Sequence, residues 1–585
     1  MAANPKSTTR NVKNTATTTR YTPPFRTLDN YYINGDSVCY DRKSGPVKVT
    51  VNGIPYVYLC TTDGVTREVS YVIRGYSIVS GNFEAWISCN DLHSATKLCE
   101  FLAHHGIVVM NQNATVEYIK GSTQKVSPTH FRTLVHEVGW CFGDQAFFDG
   151  RTLIHSNNLP ANGYYLRPDP ETPVNVKGTL EDWKANIGRH VEANPVLLVC
   201  VMLAFTSYLL PQAGLPSRIF NLHGIKGQGK TLALQVAATV IGNGVDPAAG
   251  AMAEHCPVVQ KLETTINGIE PVLSRSSPFL LPLDELTEQS VAMIAELMYK
   301  LASGAGRHRM TSTGGAAQKH VWRLIILTSS ERSISESVEL AKKPLLGGQA
   351  DRGVDIPLDR IGVVRAFGEY SSFDGVTRHL KKVCSECYGT PGQAFIRFAI
   401  NNPDDFQTCI DSLPEIETKL APRSCGPGER RVVKYFAAAV AAACIANLAG
   451  ILDCGYDQIM EAVKLVINEW WRARGNALQR IGQYLLEHDD CIHSSKPELG
   501  WIDAAAFVWD GNIIIPQDAF RLYFGDEQRE LLSELASLGA LITEQRNRHA
   551  SRFCNNRLFA YVIPENRVAE AMGQSLNDDT SNETT

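Results

Sequence analysis

Residues 224–231, Gly-Ile-Lys-Gly-Gln-Gly-Lys-Thr, are the stretch of this chain whose types and spacing speak most directly of chemistry. They fit G-x-x-x-x-G-K-[ST] without mismatch: Gly224, Ile225, Lys226, Gly227, Gln228, Gly229, Lys230 and Thr231. Glycines let successive backbone N–H groups curl around phosphate oxygens, Lys230 would reach the β/γ oxygens, and Thr231 would hold Mg2+. An apolar run, Arg218-Ile-Phe-Asn-Leu222, precedes the loop, and the Ala/Leu-rich segment after it would start a helix whose positive end faces the anion. The pattern implies binding of ATP with Mg2+. The competing reading is a Gly-rich turn ahead of a core helix.

Other groups gain meaning from that loop. Pro278-Phe-Leu-Leu-Pro-Leu283 is apolar and ends in Asp284-Glu285, 54 residues beyond Lys230. At such a strand end Asp284 would bind the metal and Glu285 would polarise the attacking water. Pro282 is awkward in a central strand, since it donates no ladder hydrogen bond. The next strand, Arg323-Leu-Ile-Ile-Leu327, ends at Thr328-Ser-Ser330. Ligands of open α/β sheets lie beyond the carboxyl ends of strands, so a hydroxyl there would sense the γ-phosphate, and Thr328 is preferred over Ser329. Arg352 closes the loop Gly347-Gly-Gln-Ala-Asp-Arg352 ahead of the strand Val354–Pro357. It suits an arginine finger reaching a neighbouring subunit's nucleotide; the alternative is local pairing with Asp351 or Asp355. Arg430 and Arg431 open a long helix, where Arg431 would be a second cation facing the nucleotide.

Between the two strand ends, Leu297 to Ser330 contains no acid, while Lys300, Arg307, Arg309, Lys319 and Arg323 are cationic. Thr311–Ala317 reads as the turn of a hairpin, on which Arg307, Arg309 and Lys319 would grip DNA phosphates, single-stranded in a ring's channel. The alternative is an exposed loop with solvated charges.

The elements that must hold these groups follow from length and pattern. A chain of 585 residues needs several cores. Its 44% apolar and 20% charged content is that of an ordinary soluble protein, and a net charge of −5 gives no global nucleic-acid signature. The fifteen cysteines form no framework, and Cys384-Ser-Glu-Cys387 has no second pair at zinc spacing, so both read as ordinary helix cysteines in a reducing, cytoplasmic compartment. The apolar runs Val196–Leu210 and Ala437–Leu452 read as buried helices, with no membrane partner.

The expected divisions are a disordered tail over 1–24, a β-rich α+β domain over 25–180, and an α/β P-loop NTPase core over 181–372. A helical lid over 373–475, a winged-helix-like domain over 476–565 and a second disordered tail over 566–585 complete the chain. In the first domain Asp91 reads as a helix N-cap and Val138-Gly-Trp140 with Ala146-Phe-Phe148 as a hairpin. In the winged domain the wing is expected between Ala540–Glu544 and Arg557–Ile563, with Arg546, Arg548, His549 and Arg552 at its turn.

With these residues in place, the chain from about Phe25 to the wing resembles the family catalogued as domain of unknown function 927. The resemblance is strongest in Leu222–Ala238 and Leu283-Asp-Glu-Leu286, and continues in Tyr299–Gly304, Gly348–Arg352, Tyr388-Gly389 and Arg431–Phe436. Gly227-Gln228 departs from the serines usual in relatives, and Tyr435 stands where a second arginine is common. The resemblance implies a phage or mobile-element ATPase akin to cassette-chromosome and minichromosome-maintenance helicases. It further implies a ring, a hexamer by analogy, acting on DNA with replication proteins as further partners. The rival from another class is an ATP-operated switch, an assembly or defence protein that unwinds nothing. A small-molecule kinase or a primase is disfavoured, because neither an acceptor motif nor an acidic triad is visible.

Overall fold

The computed structural model describes residues 30–64, 66–160, 163–248, 255–261, 268–284, 297–298, 300–301, 303–306, 320–334, 336–337, 352–421, 427–474, 477–497, 504–525, 528–542, 551–553 and 558–572. The chain divides into two compact units, Met1–Pro170 and Glu171–Thr585.

The first unit is built from strands β1 (Tyr31–Asn34), β2 (Ser37–Arg42), β3 (Gly45–Val51), β4 (Gly53–Asp63), β5 (Val69–Ser77), β6 (Gly81–Ser88), β7 (Val108–Val109), β8 (Phe131–Val135), β9 (Gly139–Cys141), β10 (Ala146–Phe148), β11 (Leu153–His155) and β12 (Tyr164–Leu166). They form sheets ordered β1-β2-β3-β7, β12-β8-β4-β5-β6 and β11-β10-β9. Val38, Val49, Ile54 and Ile73, supplied by the β-branched strands, share one apolar core with Leu98 and Leu102 of helix Ala95–His104 and Tyr118 of helix Gln112–Thr123. The expected hairpin exists: β9 pairs with β10, and Trp140 meets Phe147 edge-on at 5.3 Å. Asp91 is not the helix cap. Ser88 is, accepting the Asp91 N–H at 3.0 Å, while the Asp91 carboxylate pairs with Lys97.

The second unit centres on a five-stranded parallel sheet of β13 (Arg218–His223), β14 (Gln260–Lys261), β15 (Leu281–Asp284), β16 (Ile325–Ser330) and β17 (Gly353–Pro357), ordered β14-β15-β16-β13-β17. These strands are buried almost throughout, as parallel strands covered on both faces must be. Pro282 is tolerated because β14 pairs only with Leu283 and Asp284, leaving β16 as its one neighbour at that register. Helix Pro195–Leu209 is buried along its length. Helix Pro427–Leu448 packs beside β13, Phe436 lying 5.6 Å from Phe220. Gly428–Leu448 is long and apolar enough to cross a membrane, but 72% of its apolar window is buried within the chain. That is how a core helix packs. Cys384 and Cys387 are buried, and burial pushes both thiols up.

Beyond helix Tyr456–Arg474 the sequence expectation of a two-stranded wing is too simple. The structure has a five-stranded sheet of β18 (Ile492–His493), β19 (Ala506–Trp509), β20 (Asn512–Pro516), β21 (Ser551–Phe553) and β22 (Leu558–Pro564), ordered β18-β19-β20-β22-β21. Helices Ala477–Glu487, Gln517–Phe524, Gln528–Ser537 and Glu565–Ala571 accompany it; the last, but for its first residue, falls in the expected disordered tail over 566–585 and is ordered there because Val568 packs into the core of this sheet. Ala540–Glu544 contributes one bridge among its described residues, Ile542 with Val562, and β22 pairs antiparallel with β20 on one side and β21 on the other. Arg552 therefore lies within a strand, 5.5 Å from the Phe559 ring; 543–550, with Arg546, Arg548 and His549, lie outside the described residues. Short strands of three or four residues give too few alternations to be legible.

Candidate nucleotide site

Strand β13 delivers the chain to Gly224 at the carboxyl edge of the sheet, and helix Lys230–Ala238 carries it away. Glycine is required at both ends of the loop. Gly224 has φ 148°, and a Cβ there would fall 2.3 Å from Gln228 Oε1. Gly229, at φ 88°, is closed in by Val363 and Phe373. The result is a turn of N–H groups ahead of a helix start, the arrangement that receives an anion. Lys230 Nζ donates to the carbonyls of Gly224 at 2.6 Å and Ile225 at 2.8 Å. Burial lowers its pKa, against the raising pull of Glu331, Asp359 and Asp284. A desolvated ammonium held at the loop gains more from a phosphate than one in water.

The strand ends on one side complete the site. Thr231 Oγ1 donates to Asp284 Oδ1 at 3.0 Å, and Ser329 Oγ donates to the same oxygen at 2.7 Å. Thr231, Asp284 and Ser329 offer oxygen alone, the ligand class of Mg2+. They fit that ion. Asp284 is 8% exposed, so an ion there would meet a carboxylate already stripped of most water.

The hydroxyl that meets the carboxylate is therefore that of Ser329, not the preferred Thr328. Leu283 pairs with Thr328 across β15 and β16, which sets Asp284 beside Ser329. Side chains alternate along a strand, so a shift of one residue reverses the face. Thr328 Oγ1 is buried with no hydrogen-bond partner among the described residues. Accordingly Ser329→Ala is expected to lower turnover about tenfold and raise the Mg2+ requirement, whereas Thr328→Val changes either by about twofold at most. Steady-state ATPase rates against Mg2+ concentration check this.

Asn221 fixes the strand ends. Its amide donates to Asp355 Oδ1 at 2.7 Å and its carbonyl oxygen accepts from Ser330 Oγ at 2.9 Å, joining β13, β17 and β16. Asp359, after β17, also touches the loop: its Oδ1 accepts from Gln228 Nε2 at 2.9 Å and from the Ile225 N–H at 3.3 Å. None of these four contacts has a signal in the sequence, since the partners are 134, 109, 131 and 134 residues apart.

One candidate arginine is at the other edge. Arg352 immediately precedes β17, and its carbonyl accepts from the Ile219 N–H at the start of β13. A strand of this length separates it from the loop by about 17 Å. Arg431 lies one helical turn before Tyr435, whose hydroxyl donates to the Pro216 carbonyl at 2.8 Å. Glu285, Arg307, Arg309 and Lys319 lie outside the described residues.

The stem of the expected hairpin is described. Ala305 bridges Val321 antiparallel, the Gly306 N–H donates to His320 O at 2.7 Å, and the Trp322 N–H donates to Gly304 O at 2.9 Å. Lys300 is not one of its free cations. It pairs with Glu270 at 2.6 Å, with both side chains at 5% exposure or less, and Gly306 leaves room for that carboxylate. Removing one partner of a buried pair strands the other, so Glu270→Ala should lose about 3–5 kcal/mol of stability. Glu270→Leu with Lys300→Met should recover most of it, as urea midpoints would show.

Residues 39–321 match the family model described as "Domain of unknown function (DUF927)". A search of curated proteins finds no match. Among solved structures, one described as "SCCmec type IV Cch - active helicase" aligns with a TM-score of 0.58 at 16% identity, over 94% of this chain and 100% of that one. A second, "The A form apo structure of NrS-1 C terminal region-CTR", aligns at 9% identity with a TM-score of 0.26, over 86% of this chain and 96% of that one.

Proposed function

We propose that this chain, which matches the DUF927 family model over residues 39–321, is an ATP-hydrolysing DNA helicase or translocase of a phage or other mobile element, working as a ring. The observation that carries the reading is the meeting of Thr231, Asp284 and Ser329 beside a phosphate loop, while Arg352 stands at the far edge of the same sheet. A complete hydrolytic site then needs two chains. Lys230, Thr231 and Asp284 come from one, with Glu285 as the group that orients water, and Arg352 comes from the next. The sheet order β14-β15-β16-β13-β17 sets the acidic strand and the hydroxyl strand on one side of the loop, which is what an AAA+-type core requires.

When bound, Mg2+ would neutralise charge on the β- and γ-phosphates; Thr231 and Asp284 are the residues that would hold it. Lys230 would exchange its two carbonyl partners for phosphate oxygens, and the helix start would stabilise the same charge. Arg431, near the start of helix Pro427–Leu448, would be a second cation facing the nucleotide. Basic residues 307, 309 and 319, above the described stem, would contact DNA, and the C-terminal sheet with its helices would be a winged-helix-like accessory. Support for a nucleic acid as the substrate comes from the helicase description of the structure that shares this fold.

The test is ATP hydrolysis with and without a single-stranded oligonucleotide, together with separation of a forked duplex. Stimulation and strand separation are expected. Hydrolysis that ignores DNA and leaves the fork intact would make the chain a nucleotide-operated switch instead.

A further inference from the structure

We infer that Asp359 is a built-in anion for the phosphate loop, a positioning residue that competes with bound nucleotide and so sets its affinity. The inference rests on residues 224–231 being the nucleotide site. One carboxylate oxygen takes both the Ile225 N–H, at 3.3 Å, and the Gln228 side-chain amide, at 2.9 Å. The same oxygen would lie 2.9 Å from a Cβ on Gly224, so it sits directly over the first residue of the loop. Gln228 is turned to serve it: Nε2 donates to Asp359 while Oε1 is buried with no partner among the described residues. Orphaning an acceptor costs free energy, and the bond to a charged oxygen offsets it. Asp359 is exposed, two residues beyond the end of β17.

The donors that Asp359 occupies belong to the loop that must cradle phosphate. The other charges around the loop are Lys226, paired with Glu331 at 3.1 Å, Lys230 on its two carbonyls, and Asp284 on the metal side. None of these takes the Ile225 N–H. A polyphosphate entering the loop meets Asp359 as a like charge on a donor it would otherwise approach. It must expel that carboxylate or bind against it, and either course weakens binding. With no nucleotide, the same contacts hold the loop in its curled form. Gln228 supplies the second donor.

Full-length protein titrated with a fluorescent ADP and a fluorescent ATP analogue, at low and at high salt, tests the inference. Asp359→Asn keeps the shape and removes the charge; it should tighten both nucleotides by about five- to tenfold at low salt, the gain shrinking as ionic strength rises. Asp359→Glu should stay near wild type. Gln228→Ser should tighten binding in the same direction, because the carboxylate loses its stronger partner. Unchanged or weaker binding in Asp359→Asn would overturn the inference and make Asp359 a simple support for the loop. Lys230→Ala separates the two levels: if it binds nucleotide as well as wild type, the assignment of residues 224–231 fails, and this inference with it.

Discussion

Arg352→Ala is expected to reduce ATP turnover by about 10³-fold or more while leaving nucleotide affinity nearly unchanged. Arg352 lies at the amino edge of β17, a strand's length from the phosphate loop of its own chain, so it contributes nothing to binding there. Its charge would matter only where negative charge spreads over a transferring phosphoryl group held by the neighbouring chain. The decisive measurement is a mixture. Lys230→Ala and Arg352→Ala chains, each inactive alone, should recover part of the activity when assembled together. Some interfaces then unite an intact loop from one variant with an intact arginine from the other. No recovery would mean that both groups act within one chain, which would end the shared-site reading.

Lys230→Ala should lower kcat/KM by about 10²–10³-fold or more, with weaker ATP binding as well. Nζ now sits on the Gly224 and Ile225 carbonyls, one rotation from where phosphate oxygens would lie, and burial has already removed part of its water. Alanine is the best helix former, and the helix runs on to Ala238, so the element should survive the change. Circular dichroism and an unchanged urea midpoint would show that the loss is one of charge rather than of fold. Full activity in this variant would remove the phosphate loop from the mechanism altogether.

The two predictions differ in what a reader of the sequence needed to know. Lys230 follows from eight consecutive residues, because a phosphate cradle is a local object: its donors are neighbours in the chain, and the glycines that permit the turn must be among them. Helix Pro195–Leu209 and strands β13, β15 and β16 were legible for a similar reason, since unbroken apolar runs mark elements buried on all sides. Asp284 was legible as the acid that ends such a run. The C-terminal sheet was not, as its strands are short and its partner for β22 comes from an unexpected segment.

What only the tertiary structure decided is how elements meet. Thr328 and Ser329 are equivalent on paper; the register Leu283 to Thr328 sets Ser329 against Asp284. Lys300 counts as a free cation until Glu270, thirty residues earlier in the chain, is found buried against it. Asp359 has no signature at all, being an ordinary acid beyond a strand until Gln228 turns toward it across 131 residues. Composition and spacing constrain groups that the backbone keeps within a turn or two of each other. Contacts between distant segments depend on register, edge and burial, and those arise only when the sheet is assembled.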